Sequence, residues 1–256
     1  MKTFLAFLKK EGLELLRTGR LLVLLVLFML FGIMNPAVAK LTPWMLETLS
    51  SSMAESGIVV TNVTVDALTS WTQFYKNLPI ALLIFVLMTA GAFTAEYQKG
   101  TLVPVLTKGL SRLKVLAAKA LTLLLLWTAC YLLCFLVTFG YTAYFWDNGA
   151  ARHIAFAAGL YWLFGLWIVS CMVLFSALAN GNTGVLLGTG GALFISYLLS
   201  LLPGFGPYLP LYLTNGMALL TGAIAAKATL GAAAVAAGLA VINGAAAAFA
   251  FEKRSI

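Results

Sequence analysis

Charged residues are scarce in this chain, and so are the side chains that usually carry catalysis. Of its 256 residues only 9% are charged, eight are acidic and one is a histidine. Soluble domains carry about 25% charged residues. Because 62% of the residues are hydrophobic, the composition excludes an ordinary soluble domain and predicts an integral membrane protein.

Several kinds of active site are also disfavoured. The three cysteines lie in apolar runs without a CxxC or Cys/His pattern, so neither a disulfide framework nor a zinc site is expected. No G-x-x-x-x-G-K-[ST] motif is present to cradle a nucleotide. The single histidine, His153, stands at the edge of an apolar run. We therefore predict no catalytic residue, metal or cofactor in this chain, and no nucleic-acid partner.

Six apolar stretches are long enough to span a bilayer, which takes about 20 residues in a helix. They cover residues 21–39, 78–95, 115–145, 154–179, 184–202 and 229–251. The predicted fold is thus a single all-α integral membrane domain over residues 1–256. The third stretch is longer than a bilayer requires, and Lys114 and Lys119 near its start are expected to snorkel out of the hydrocarbon. No other charge is expected inside the spans, which disfavours an ion-coupled carrier.

The basic residues predict the orientation. Six spans place both termini on one side, and twelve of the sixteen basic residues fall on that side. Cytoplasmic loops are enriched in Lys and Arg, so both termini are predicted to be cytoplasmic in a cell-membrane protein. The twelve are Lys2, Lys9, Lys10, Arg17, Arg20, Lys99, Lys108, Arg112, Lys114, Lys119, Lys253 and Arg254.

Residues 1–20 predict an amphipathic helix lying in the membrane interface. At 100° per residue, five apolar side chains share one arc and most of the charged ones lie opposite. Gly19 allows a bend into the first span. The alternative is a basic anchor that only fixes topology. The apolar arc consists of Phe4, Leu5, Leu8, Leu15 and Leu16.

Two other segments are predicted to lie outside the spans at the extracytoplasmic face. Residues 40–77 form the one sizeable loop there, and it is too small for a domain. Residues 211–224 are apolar, but they are short and follow a stretch rich in Pro and Gly. They are therefore predicted to form a re-entrant or interfacial helix before the last span.

The loop at residues 96–114 carries the most specific pattern. Thr101 can cap a short helix, with Pro104 at its third position, where the missing N–H breaks no intrahelical bond. Gly109 can end that helix, and Ser111 can cap the next one. The short helix would present Leu102, Val103, Val105 and Leu106 for a partner to bury.

Together with the N-terminal helix and the six spans, this loop resembles the permease subunits of ABC-2 type ATP-binding cassette transporters. Members of that family typically carry a Glu-basic-(Glu/Gln)-x-Gly-Thr stretch after the second span. The stretch from Glu96 to Thr101 matches it, except that Tyr97 stands where a basic residue is common. Leu106-Thr107-Lys108 and Ser111-Arg112 match the family's approach to the third span.

The resemblance implies that one kind of subunit binds ATP and another forms the transport pathway. A separate ABC ATPase, expected in two copies, would bind ATP and Mg, and a second copy or a homologous permease would complete the pathway. Met1–Gly19 would be the connecting helix, and Gly100–Leu106 the coupling helix that docks on the ATPase. The implied docking residues are Glu96, Gly100, Thr101, Leu102, Val103, Val105 and Leu106.

The resemblance favours export of an amphiphilic substrate, such as an antimicrobial peptide, a toxin or a drug. A function of a different class is also compatible with the sequence. In that alternative the chain is a non-transporting immunity or sensor protein, which binds a peptide at the outer surface through residues 40–77.

The orientation is testable by labelling single cysteines placed at Glu55 and Lys108 in a cysteine-free background. On intact cells, a membrane-impermeant maleimide should label position 55, whereas position 108 should react only after permeabilisation. The opposite pattern would show that the topology is inverted.

Overall fold

The computed structural model describes residues 2–53, 65–98, 100, 107 and 110–253, and helices dominate this part of the chain. The described residues contain no strand. Short 3-10 turns cover Asn148–Ala150, Gly206–Tyr208, Pro210–Thr214 and Ala226–Thr229. The α-helices are α1 (Lys2–Arg17), α2 (Arg20–Met53), α3 (Ala67–Thr89), α4 (Gly91–Gln98), α5 (Arg112–Phe145), α6 (Ile154–Leu178), α7 (Asn182–Ser200), α8 (Gly216–Leu220) and α9 (Leu230–Lys253).

Six helical segments are long and apolar enough to cross a membrane, which confirms the all-α fold with six spans. They are Arg20–Met45, Ala67–Glu96, Arg112–Phe145, Ile154–Leu178, Asn182–Ser200 and Ala226–Lys253. A span may continue past the bilayer as helix. The 34 residues of α5, for example, are about 51 Å long, whereas the hydrocarbon core is about 30 Å thick.

Within the extracytoplasmic loop predicted at residues 40–77, residues 40–53 and 67–77 are helical. α2 continues to Met53 although it contains Pro36 and Pro43. α3 begins at Ala67, where Asp66 accepts a hydrogen bond from the backbone N–H of Thr69 at 3.0 Å in a capping box. A loss of hydropathy marks where a helix leaves the membrane, not where the helix ends.

A polar network holds α2, α3 and α5 together at Pro36. Proline lacks the N–H that would bond to the carbonyl four residues earlier, so the Gly32 carbonyl loses its helical donor. The buried Thr138 hydroxyl of α5 donates to that carbonyl at 3.1 Å. Asn35 in turn donates to Thr138 at 3.0 Å and accepts from Asn77 of α3 at 2.8 Å. The proline therefore creates a defined inter-helix contact between three spans.

The segment predicted as one re-entrant or interfacial helix at 211–224 is instead a series of short turns. The Pro210–Thr214 turn ends at Asn215, and α8 covers only Gly216–Leu220. Leu219 and Leu220 are buried. Gly216 packs so closely on the Tyr75 ring that a Cβ there would overlap it. This close contact interrupts the segment, which corrects the expectation of a continuous helix.

One end of the bundle, called the base here, brings together segments that are distant in sequence. α1 packs against α5 at this end. Arg112 at the start of α5 donates to the Glu252 carbonyl near the end of α9 at 3.0 Å, and Gln98 at the end of α4 donates to the Asn180 carbonyl at 3.4 Å. The base thus gathers both terminal helices and both ends of the connection between α4 and α5.

Candidate functional site

A buried lysine lies at the centre of the base. Lys119 is in the third turn of α5, and its side chain is only 2% exposed. Its ammonium group donates to Glu11 Oε2 of α1 at 2.9 Å and to the Ala92 carbonyl of α4 at 3.0 Å, and it lies 3.0 Å from Glu96 Oε2. Lys119 therefore has two hydrogen-bond acceptors, and Glu96 as an ion-pair partner.

A second lysine completes an ion cluster that consists of Lys10, Glu11, Glu14, Glu96 and Lys119. Lys10 lies 3.0 Å from Glu11 Oε1 and 2.7 Å from Glu14 Oε2, and it also donates to Glu96. Glu11 and Glu96 are buried, whereas Lys10 and Glu14 are partly exposed. The cluster therefore extends from the surface of α1 to the interior, and it joins α1, α4 and α5.

The three carboxylates could in principle hold a cation, because one oxygen from each lies within 4.8 Å of the others. Lys10 and Lys119 already occupy that position, since each of their ammonium groups contacts two or more of these carboxylates. The contacts of the cluster are thus those of an ion-pair network.

Lys10 and Glu14, the two partly exposed residues of the cluster, are both charged at neutral pH. Burial alone would raise the pKa of Glu14, but the hydrogen bond from Lys10 and the nearby positive charges lower it below 4.5. Burial would lower the pKa of Lys10, yet its bonds to Glu14 and Glu96 raise it well above 10.5. The pair's stabilising effect is therefore lost only as the pH falls through the lowered Glu14 pKa or rises through the raised Lys10 pKa.

Lys119 contradicts one expectation from sequence, because its side chain is buried in the protein and does not snorkel to the surface. A buried ion pair forms only when geometry and hydrogen bonds offset the large cost of desolvation. Lys119 meets that condition because α1 and α4 both bring a carboxylate to it. The signal that should have revealed this is an ionisable residue within a long apolar run.

The apolar arc predicted for α1 is only partly the side that faces the bundle. Phe4, Leu8 and Leu15 pack against the core, but Leu5 and Leu16 are more than half exposed. The most buried residues of α1 are Phe7 and Glu11, so a charged residue lies on the packed side. The bend predicted at Gly19 is present, with a φ of +70°.

Two of the residues predicted for docking, Glu96 and Gly100, are among the described residues. Glu96 is turned inward to Lys10 and Lys119 of the ion cluster. Gly100 has a φ of +64°, a left-handed conformation that glycine adopts without strain. Ser111 occupies the predicted cap position of α5, although its side chain makes no capping hydrogen bond. The remaining predicted docking residues, Thr101, Leu102, Val103, Val105 and Leu106, lie outside the described residues.

A second set of polar contacts joins α4 to the start of α7. The Thr94 hydroxyl donates to the side-chain oxygen of Asn182. Gly91 lies directly against the same asparagine side chain, because a Cβ there would be 2.9 Å from its nitrogen. α4 therefore contacts the ion cluster through Glu96 and contacts α7 through Asn182. Sequence patterns gave no sign of either contact.

These features define a multi-pass membrane protein in which a buried ion network organises one end of the bundle. A family model for ABC-2 family transporter proteins matches residues 5–221. Because the match covers most of the chain, the chain belongs to that family and is a membrane component of transport. Comparisons with curated proteins and with solved structures give no significant match.

The ion cluster can be tested with Lys119→Met, which removes the buried cation and keeps an unbranched apolar side chain. The buried carboxylates of Glu11 and Glu96 would lose that partner, so the free energy of unfolding should fall by about 3–5 kcal/mol. Lys114→Met is the matched control, because Lys114 is exposed on the same helix, and its effect should be within about 0.5 kcal/mol. Equilibrium unfolding in mixed micelles measures both. Equal stability of the two variants would contradict the assigned role of Lys119.

Proposed function

We propose that this chain is the permease subunit of an ATP-driven exporter whose energy comes from a separate ATPase at the base of the bundle. The observation that carries the proposal is the position of Glu96. This residue precedes the segment Gly100–Leu106, and it is joined to α1 through Lys10 and to α5 through Lys119. A force applied to that segment would therefore act on α1, α4 and α5 together.

The docking element is the segment Gly100–Leu106, and α1 is the connecting helix. Leu102, Val103, Val105 and Leu106 supply the apolar side chains that a groove of the ATPase would bury, and each large side chain fully covered contributes roughly 1.5–3 kcal/mol. Gly100, the first residue of this segment, has a left-handed φ. ATP and Mg bind to the partner.

The transport cycle follows from differential affinity. A ligand shifts a two-state protein only if it binds one state more tightly, so the ATPase dimer must hold one arrangement of the permease better than the other. Closure of that dimer on ATP pulls the coupling segment, and the ion cluster passes the displacement to the spans. A cavity of about 110 Å³ between α1, α4 and α5 borders the cluster, so this joint has room to shift.

The topology and assembly belong to the same proposal. Both termini and the base are cytoplasmic in the cell membrane, because twelve of the sixteen basic residues fall on that side. Two ATPase copies act with two permeases, either identical or homologous. The cargo is an amphiphilic molecule such as an antimicrobial peptide, a toxin or a drug. Membership of a transporter family favours this function over a non-transporting immunity or sensor protein.

Docking can be tested with Leu106→Asp, which places a charge in the apolar surface that the ATPase would cover. The variant should insert and fold but should no longer retain the ATPase in a pull-down, because an unpaired carboxylate would be buried. Leu106→Met is the matched control and should retain it, since a swap of similar volume is tolerated. If Leu106→Asp retains the ATPase at the wild-type level and transports normally, then Gly100–Leu106 is not the docking element.

The conformation of Gly100 gives a separate test. No atom of the described residues lies within 4 Å of a Cβ built at this position, so we expect a substitution to act through the backbone and not through a clash. Gly100→Val should weaken ATPase retention, because a β-branched residue resists positive φ. Gly100→Asn should preserve it, because asparagine tolerates the left-handed region. Equal retention of the ATPase by the two variants would contradict the role given to this turn.

A further inference from the structure

A groove between α2 and α5 opens to the outside of the bundle, at the end opposite the base. Its volume is about 460 Å³. On α2 it runs from Ile33 to Leu41, which is about 12 Å of helix, and Tyr141 and Phe145 of α5 form its other wall. Ile33, Leu41 and Tyr141 are each more than a third exposed. A molecule in the bilayer can therefore reach the groove directly.

Exposed aromatic residues mark the depth of this groove in the membrane. Trp44 near the end of the first span and Tyr144 near the end of α5 are both more than 60% exposed. Trp and Tyr are enriched where a bilayer meets water. Lys40 lies one turn before Trp44 on α2, so its ammonium is at the level of the lipid headgroups. The part of the groove around Ile33 then lies in the hydrocarbon.

Lys40 is the charged residue among the described residues that line the groove, and aromatic rings hold its side chain. Its ammonium lies 3.9 Å from the centroid of the Phe145 ring, an attractive cation–π contact. That ring stacks on Tyr141 with a centroid distance of 6.3 Å. Lys119 at the base has two carboxylate partners, whereas no carboxylate of the described residues forms an ion pair with Lys40. The positive charge of Lys40 is therefore available to an anionic ligand.

A second, shallower hollow adjoins the groove on α5. It has a volume of about 370 Å³, extends from Leu136 to Tyr144, and shares Tyr141 with the groove. The described residues that line it are uncharged. Gly140 leaves it open, because a Cβ there would meet no described atom within 4 Å. Two adjoining apolar spaces therefore lie on the side of Lys40 that faces the base.

We propose that Lys40 binds the headgroup of an anionic phospholipid, whose two acyl chains lie in the groove and in the adjoining hollow. The charge of the ligand follows from Lys40, since anionic lipids are attracted to basic residues at the membrane surface. A zwitterionic lipid brings its own cation and leaves the charge of Lys40 unbalanced. A free phosphate would leave the apolar walls uncovered. The site is separate from the docking element and does not depend on the proposed function.

The direct test uses this chain alone in phosphatidylcholine nanodiscs that contain a trace of phosphatidylglycerol with a diazirine in one acyl chain. Photolysis and peptide mapping should place the label on residues 33–41 of α2 and 136–145 of α5. Unlabelled phosphatidylglycerol should compete for it, whereas inorganic phosphate should not, because it has no acyl chain. Label spread evenly over all the lipid-facing helices would overturn the proposal, and so would competition by phosphate equal to that by phosphatidylglycerol.

The role of the charge is tested with Lys40→Gln. Labelling by the phosphatidylglycerol probe should fall about fivefold, which corresponds to the roughly 1 kcal/mol by which one basic residue near the surface attracts anionic lipids. Lys40→Arg should keep the label. Lys76→Gln is the matched control and should also keep it, because Lys76 is exposed on α3 and does not line the groove. Equal labelling of Lys40→Gln and Lys76→Gln would overturn the role of Lys40.

The second acyl chain is tested with Gly140→Leu, which should fill the hollow. Labelling by the two-chain probe should fall, whereas labelling by lysophosphatidylglycerol, which has one chain, should not change. Gly238→Leu on α9 is the matched control, because a Cβ there also meets no described atom within 4 Å. If the two-chain probe labels both variants to the same extent, the hollow does not hold an acyl chain.

Discussion

The ammonium group of Lys119 is buried among apolar helices, and the arrangement of the base follows from the need to neutralise it. An unpaired charge in that position would cost several kcal/mol. The carboxylates that prevent this come from α1 and α4, so both helices must be in place for α5 to pack. α1 is consequently a part of the bundle as well as an amphipathic helix that can lie along a membrane surface.

From this cluster, defined contacts lead into the spans. α1 continues into α2 through the left-handed Gly19. α2 is held to α3 and α5 by the hydrogen bonds of Asn35 and Thr138, which replace the bond that Pro36 removes. Among the remaining spans, α6 packs against α7 and α9. An apolar cavity of about 510 Å³ lies where α3 meets α6 and α7.

The sequence predicts the parts of this fold that depend on local composition. Six apolar runs predict six spans, and the amphipathic pattern of residues 1–20 predicts α1. Gly19 adopts the bend that its position predicts. The cap at Asp66 was not predicted, although Asp66 and Thr69 have the spacing of a capping motif. The contacts of the base could not be predicted, since Glu11 and Lys119 are 108 residues apart and helical periodicity carries no information about which helices meet. The interrupted segment at 211–224 likewise depends on the contact of Gly216 with Tyr75.

We propose that the ion cluster transmits ATPase movement to the spans, and one pair of substitutions separates this transmission from docking of the ATPase. Glu11→Gln/Lys119→Met removes one charge of each sign, so the net charge of the cluster is preserved. A cysteine at Tyr144, which is 81% exposed near the far end of α5, reports the state of the spans through its labelling rate with and without trapped ATP. We expect the double variant to bind the ATPase normally but to lose the ATP-dependent change in labelling seen in the otherwise native protein. A full ATP-dependent change in the double variant would contradict the account.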